Sequence, residues 1–139
     1  MSSVPPVSKR NLVLRLVGRT LVMVQNSKTP SDVEWNEFLK FVKKDPTGLR
    51  LFVMTDGGAP TAEQRKRLQA TLAGALPLVA AVSDNMKVRF VAATIALFHS
   101  THGSFTKSEL QKAFTHLQLE MHERREVEVA IRELSGMLL

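Results

Sequence analysis

The fold is decided by residues 51–68, LFVMTDGGAPTAEQRKRL, where an apolar run ends in a loop and a polar, basic segment follows. The apolar run has the length of a buried strand. Gly57 and Gly58 suit a tight turn. Thr61, with Gln64 three residues later, has the spacing of a helix capping box. The stretch therefore predicts a strand, a short loop and a helix, which is the repeating unit of α/β domains.

The residues before this stretch carry the same kinds of signal. NLVLRLVGRTLVMVQN, residues 11–26, predicts two strands joined by a turn at Gly18. SDVEWNEFLKFVKKDP, residues 31–46, predicts a helix, because Ser31 and Glu34 form a second capping box and the apolar residues after them recur at helical spacing. A hairpin and a helix therefore precede the central strand.

The residues after it continue the alternation. LVAAVS, residues 78–83, predicts an uncharged, buried strand, and residues 84–99 predict a helix. This helix has no charge from 90 to 98, so the sheet, neighbouring helices or another subunit must cover it on most sides. A short strand is expected around residues 103–105. Two amphipathic helices then form the tail, at 106–117 and 120–138.

This order of elements predicts one α/β domain with a mixed, mostly parallel sheet of four or five strands, flanking helices and a helical C-terminal tail. The length of 139 residues fits a single domain. We expect residues 1–10 to be a flexible leader and residues 11–118 to be the α/β domain. Residues 119–139 are expected to form a C-terminal amphipathic helix packed on the same domain.

Composition narrows the classes of function. The chain has no cysteine, which excludes disulfides, thiolate metal sites and a cysteine nucleophile. The net charge is +6, but the basic residues are scattered and do not alternate with aromatic residues, so nucleic acid is not the expected partner. The N-terminus lacks the apolar core of a secretory signal, and no stretch has the length of a transmembrane helix. The expected location is the cytoplasm.

The expected binding residues lie in the loops at the carboxyl ends of the strands, where open parallel sheets meet their ligands and partners. The central loop, TDGGAPT, has two interpretations. Its glycines and the following helix N-terminus could bind an anion, or they could simply turn the chain into the helix. Asp56 would repel an anion. The candidate partner- or ligand-binding residues are Thr55, Asp56, Gly57, Gly58, Thr61, Ser83, Asp84, Asn85 and Lys87.

No pattern in the sequence indicates catalysis. His99 and His102 could place two imidazoles at one side of a helix end, but no Cys, Asp or Glu next to them completes a metal-ligand set. No Gly-x-Ser-x-Gly elbow and no phosphate-binding glycine motif is present. We therefore predict no catalytic residue, no metal site and no cofactor, and we do not expect an enzyme.

The order of elements resembles the STAS domain, the fold of anti-sigma-factor antagonists and of the SpoIIAA-like (STAS/SEC14) group. The resemblance covers residues 11–118, and it rests on LVLRLVGR as the opening hairpin and LRLFVMTDGG as the strand entering the functional loop. It implies a non-enzymatic regulatory module that binds protein partners through that loop and the next helix. In anti-sigma antagonists the loop carries a phosphorylatable Ser. TDGGAPT has none, and the nearest hydroxyls are those of Thr55 and Thr61.

Three hypotheses of function follow. The first is a STAS-like regulatory or adaptor protein that binds a protein partner through residues 56–61, 83–87 and the helix at 86–98. The second is a small-ligand or lipid-binding module that uses the same loops, with the glycines and Lys87 meeting an anionic group; binding a lipid would require an apolar cavity. The third is a structural homodimer that pairs through the uncharged helix at 90–98.

Overall fold

The computed structural model of the protein describes residues 10–89 and 101–138. Within these residues five strands form one sheet in the order in which they occur along the chain. The first two are antiparallel around a turn at Gly18, which has a φ of 60°, and the remaining pairs are parallel. The mixed, mostly parallel sheet is therefore confirmed. The strands are β1 (Leu12–Val17), β2 (Thr20–Gln25), β3 (Arg50–Thr55), β4 (Leu78–Val82) and β5 (His102–Phe105).

The first two helices begin at the capping boxes that the sequence predicted. The Ser31 hydroxyl accepts a hydrogen bond from the Glu34 backbone N–H (3.1 Å), and Thr61 accepts one from Gln64 (3.1 Å). Residues 86–89 are helical, and the rest of the helix predicted at 84–99 lies outside the described residues. The helices are α1 (Asp32–Lys44), α2 (Ala62–Leu72), α3 (Leu110–His116) and α4 (Met121–Ser135), with a 3₁₀ turn at Lys107–Glu109 before α3.

The sheet has a hydrophobic core on each face, because successive side chains of a strand point to opposite sides. On β2, Leu21 and Met23 pack against α1 and α2, whereas Val22 and Val24 pack against α3 and α4. The C-terminal helix α4 lies over β1 and β2, and its apolar side, from Val127 onward, is buried. The domain thus has three layers, with the first two helices on one face of the sheet and the C-terminal pair on the other.

The parallel strands place their carboxyl ends along one edge of the sheet. Gln25 at the end of β2 is in register with Thr55 at the end of β3, and Val82 of β4 is in register with Phe105 of β5. The loops that follow these strands therefore meet, as expected for an open parallel sheet. No helix in the described part of the chain is long and apolar enough to cross a membrane.

Candidate functional site

The loops after β2, β3 and β4, residues 26–31, 56–61 and 83–87, form one continuous surface, which we call the strand-end surface. Direct hydrogen bonds join the loops. The Gly58 N–H donates to the Asn26 carbonyl (2.9 Å), and the Ser83 hydroxyl donates to the Thr55 carbonyl (2.6 Å). Because each loop is tied to the next, the surface is a single preorganised unit.

The two hydroxyl groups at the ends of β3 and β4 face inward. Thr55 is 4% exposed; its hydroxyl donates to the Gly58 carbonyl (3.0 Å) and accepts from the Gly57 N–H (3.1 Å). Ser83 is 1% exposed, and its hydroxyl also accepts from the Asn85 N–H (3.1 Å). Both hydroxyls therefore hold the loops in shape, and neither is presented to solvent.

The backbone N–H groups of the central loop are also used within the protein. Asp56 donates to the Gln25 carbonyl (3.2 Å), Gly57 to the Thr55 hydroxyl, and Gly58 to the Asn26 carbonyl. An anion would have to compete with all three of these bonds. Gly57 has a φ of 135°, which favours glycine, and Gly58 lies against the backbone of the neighbouring loop. The geometry of the loop thus favours the turn interpretation over the anion site.

Asp56 has a partner that is distant in sequence. The Lys107 Nζ lies 2.8 Å from the Asp56 Oδ1, and the Lys107 backbone N–H donates to the Asp84 carboxylate (3.0 Å). One residue therefore links the loops after β3 and β4. The sequence reasoning missed Lys107, although it follows β5 and so belongs to the same edge of the sheet. Extending the strand-end rule to the short strand predicted at 103–105 would have included it.

The other candidate residues form the exposed part of the surface. Asn85 caps the helical turn at 86–89, since its side chain accepts from the N–H groups of Lys87 (3.0 Å) and Val88 (3.2 Å). Thr61 is exposed and caps α2. Met86, between the two polar residues Asn85 and Lys87, is 76% exposed. A polar, charged surface therefore also exposes an apolar side chain.

Beneath the strand-end surface lies an apolar cavity of about 490 Å³. Val53 and Ala81 form its floor on the sheet, and Leu68 and Leu72 of α2 form a wall. Its lining also includes a few polar residues: Gln25 and Thr55 at the carboxyl ends of their strands, and Lys87 in the loop after β4. Gln25 was not among the predicted site residues, because a polar residue that ends a strand is ordinary in a sequence.

The described residues offer little for a metal or a cofactor. His102 begins β5 and lines the cavity, so it does not sit at a helix end, and His99 lies outside the described residues. Glu120, His122 and Glu123 lie close enough to share an ion. However, Glu123 already accepts from the Glu120 N–H (3.1 Å) and pairs with Arg50 (3.7 Å). We assign no metal to this group, because its carboxylates already serve the start of α4.

No protein-family model matches the chain, and no curated protein matches it in sequence. The resemblance to the STAS domain therefore stays a prediction that rests on the order of the elements. The strand-end surface and the cavity beneath it are the features that bear on function.

Proposed function

We propose that the protein is a non-enzymatic, STAS-like regulatory or adaptor module that binds a protein partner through the strand-end surface. The observation that carries this proposal is the bracing of the surface by Lys107, which joins Asp56 and Asp84 across two loops. Binding residues commonly lie on loops that a rigid scaffold positions. A braced loop surface loses little conformational entropy when a partner binds, which favours affinity.

The composition of the surface also supports a protein partner. Met86 is exposed on it, and methionine is enriched in protein interfaces. Asp56, Asp84 and Lys87 are also exposed on this surface, and the charged groups of an interface contribute to specificity and to the rate of association. Transient interfaces combine exposed apolar and charged side chains in this way.

The burial of the Thr55 and Ser83 hydroxyls bears on whether phosphorylation regulates the module. Because Thr55 and Ser83 use their hydroxyls to hold the loops, a kinase could reach either one only after the loop opened. We therefore propose that partner binding does not depend on phosphorylation of Thr55 or Ser83. In this respect the module would differ from anti-sigma-factor antagonists.

Replacing Met86 by glutamate is expected to weaken partner binding at least tenfold without changing the fold. The side chain is 76% exposed, so a charge there costs little stability in the isolated protein. In the complex the carboxylate would be buried at the interface with no opposite charge beside it, which costs binding free energy. The measurement is affinity purification from the native cell with the tagged protein, quantified by mass spectrometry, followed by the Kd of the purified pair.

Met121→Glu is the matched control, since Met121 is 64% exposed at the start of α4. The first turn of α4 lies at the opposite edge of the sheet, where Glu123 pairs with Arg50 at the beginning of β3. A partner that is lost with both variants, or with neither, would contradict binding through the strand-end surface.

Replacing Lys107 by methionine is expected to weaken partner binding while changing the stability of the fold only slightly. The ion pair with Asp56 is about half exposed, so its loss should cost less than about 1 kcal/mol in the free energy of unfolding. Partner binding should weaken several-fold, because the loop after β3 loses its tie to Lys107, although the hydrogen bond from Ser83 to the Thr55 carbonyl remains. Urea unfolding and the Kd measured on the same preparation check this. An unchanged Kd would show that the bracing does not matter for binding.

A further inference from the structure

The apolar cavity beneath the strand-end surface has the properties of a small-molecule site. Its volume of about 490 Å³ lies within the range of ligand pockets, roughly 300–1,000 Å³. The walls are mostly aliphatic, and Trp35 of α1 contributes an aromatic surface. Polar groups are few: Gln25, Thr55 and Lys87 lie towards the carboxyl ends of the strands, and His102 lies at the start of β5. A cavity of this kind suits a ligand with an apolar body and one polar end.

One buried polar group points to the chemistry of that end. Gln25 is 4% exposed, and its Nε2 has no hydrogen-bond partner. It lies two residues after Met23 on β2, so its side chain is on the α1 and α2 face, where it lines the cavity. A buried donor without a partner is costly, and such groups are rare in native proteins. A ligand that accepts a hydrogen bond would satisfy it.

The charge near the cavity indicates an anionic acceptor. Lys87 lines the same cavity from the loop after β4 and is exposed to solvent. The whole chain carries a net charge of +6, which favours the approach of anions. We propose that the cavity binds a small amphipathic carboxylate, whose head accepts a hydrogen bond from Gln25 and faces Lys87, and whose aliphatic tail lies between the sheet and α2.

Two residues that line the cavity, Val88 and His102, lie on either side of residues 90–100, which are outside the described residues. If that apolar segment filled the cavity, the purified protein would bind no added ligand. The experiment therefore uses the full chain, and the absence of binding counts against the proposal.

Trp35 provides a direct readout of binding. It is the only tryptophan, the chain has no tyrosine, and Trp35 is 2% exposed and lines the cavity. We expect decanoate, added below its micelle concentration, to shift or quench the tryptophan emission in a saturable manner and to raise the Tm by several degrees. Decanol should bind more weakly, because its hydroxyl can accept from Gln25 but carries no charge for Lys87, and decyltrimethylammonium more weakly still, because it has no acceptor and a positive charge. Equal binding of the cationic probe, or no binding of any probe, would overturn the proposal.

Three variants locate the ligand. Gln25→Leu and Lys87→Met should each weaken decanoate binding by about tenfold, whereas Lys66→Met, at an exposed lysine of α2 outside the cavity, should not. Gln25→Leu should leave the Tm of the unliganded protein unchanged or higher, since it removes the unpartnered donor.

Ala81→Phe should fill the floor of the cavity and prevent binding, and Ala70→Phe on the exposed side of α2 is its control. Decanoate binding that survives both Gln25→Leu and Ala81→Phe would place the ligand elsewhere.

Discussion

The variant Gly58→Ala is expected to lose about 3 kcal/mol of unfolding free energy, a drop in Tm of about 10 °C. A Cβ at this position would lie 2.6 Å from the Asn26 carbonyl oxygen and against the Lys28 carbonyl, both of them backbone groups. Neither can move without opening the loop after β2. The shift would also break the hydrogen bond from the Gly58 N–H to Asn26 and leave a buried donor unsatisfied. Thermal and urea unfolding measure the loss.

Two other glycines provide graded controls. Gly136→Ala should change stability by less than about 0.5 kcal/mol, because its φ is −70° and a Cβ there would have its nearest neighbour at 3.5 Å. Gly57→Ala should cost about 1–2 kcal/mol, because φ is 135° and the Cβ would meet only the movable Asn85 side chain, at 3.0 Å. If Gly58→Ala lost as little unfolding free energy as Gly136→Ala, the loops after β2 and β3 would not be in close contact at Gly58.

The adjacent glycines show how far the sequence could predict this loop. The pair Gly57–Gly58 before Thr61 was enough to predict a turn into a capped helix, because turns and caps depend on neighbouring residues. It could not show that Gly57 is needed for its φ and Gly58 for contact with another loop. The second reason depends on Asn26 and Lys28, which the fold brings close from the loop after a different strand.

Contacts between distant parts of the chain also explain why the sequence patterns did not indicate Lys107 and Gln25. Lys107 is 51 residues from Asp56, and only the addition of β5 to the edge of the sheet brings the two together. Gln25 could be assigned to a face from the alternation of β2, but the lack of a partner for its amide is a property of the cavity. The order of strands and helices, by contrast, was predictable from hydrophobic periodicity and capping boxes, which are local signals.

Glu34 belongs to a capping box, which the sequence predicts, and it also contacts a strand that is distant in sequence. In the sequence it is the third residue of α1 and closes the capping box that Ser31 begins, and its Oε1 does accept from the Ser31 N–H (2.8 Å). Its Oε2 accepts from the backbone N–H groups of Asn11 and Leu12, both at 2.9 Å. The side chain is buried, so one carboxylate fastens the start of β1 to the start of α1.

Removing this carboxylate should have the largest effect of any single change considered. Glu34→Ala would leave three backbone donors without an acceptor, of which that of Leu12 is buried, and would break the capping box. We expect a loss of about 4 kcal/mol in the free energy of unfolding. Glu34→Gln keeps the shape but sets an amide against N–H donors, and it should lose about 2 kcal/mol. Glu126→Gln, at an exposed position of α4, should change stability by less than about 0.5 kcal/mol.

The contribution of Glu34 should also depend on pH in a defined direction. Burial raises the pKa of its carboxyl group, but the hydrogen bonds from Ser31, Leu12 and Asn11 outweigh that effect, so the pKa in the folded protein lies below the ordinary value of 4.5. The unfolded chain therefore takes up the proton first as the pH falls. The stabilisation is complete above pH 4.5 and is lost as the pH falls from there through the lowered pKa.

The difference between wild type and Glu34→Gln isolates this titration, because every other acidic group is common to both proteins. We expect the stability difference between them to be constant from neutral pH down to about pH 5, and to shrink as the pH falls further. Urea unfolding at a series of pH values measures it. A difference that stayed constant through the acid range would show that Glu34 titrates normally, and that its backbone donors do not hold the charged form.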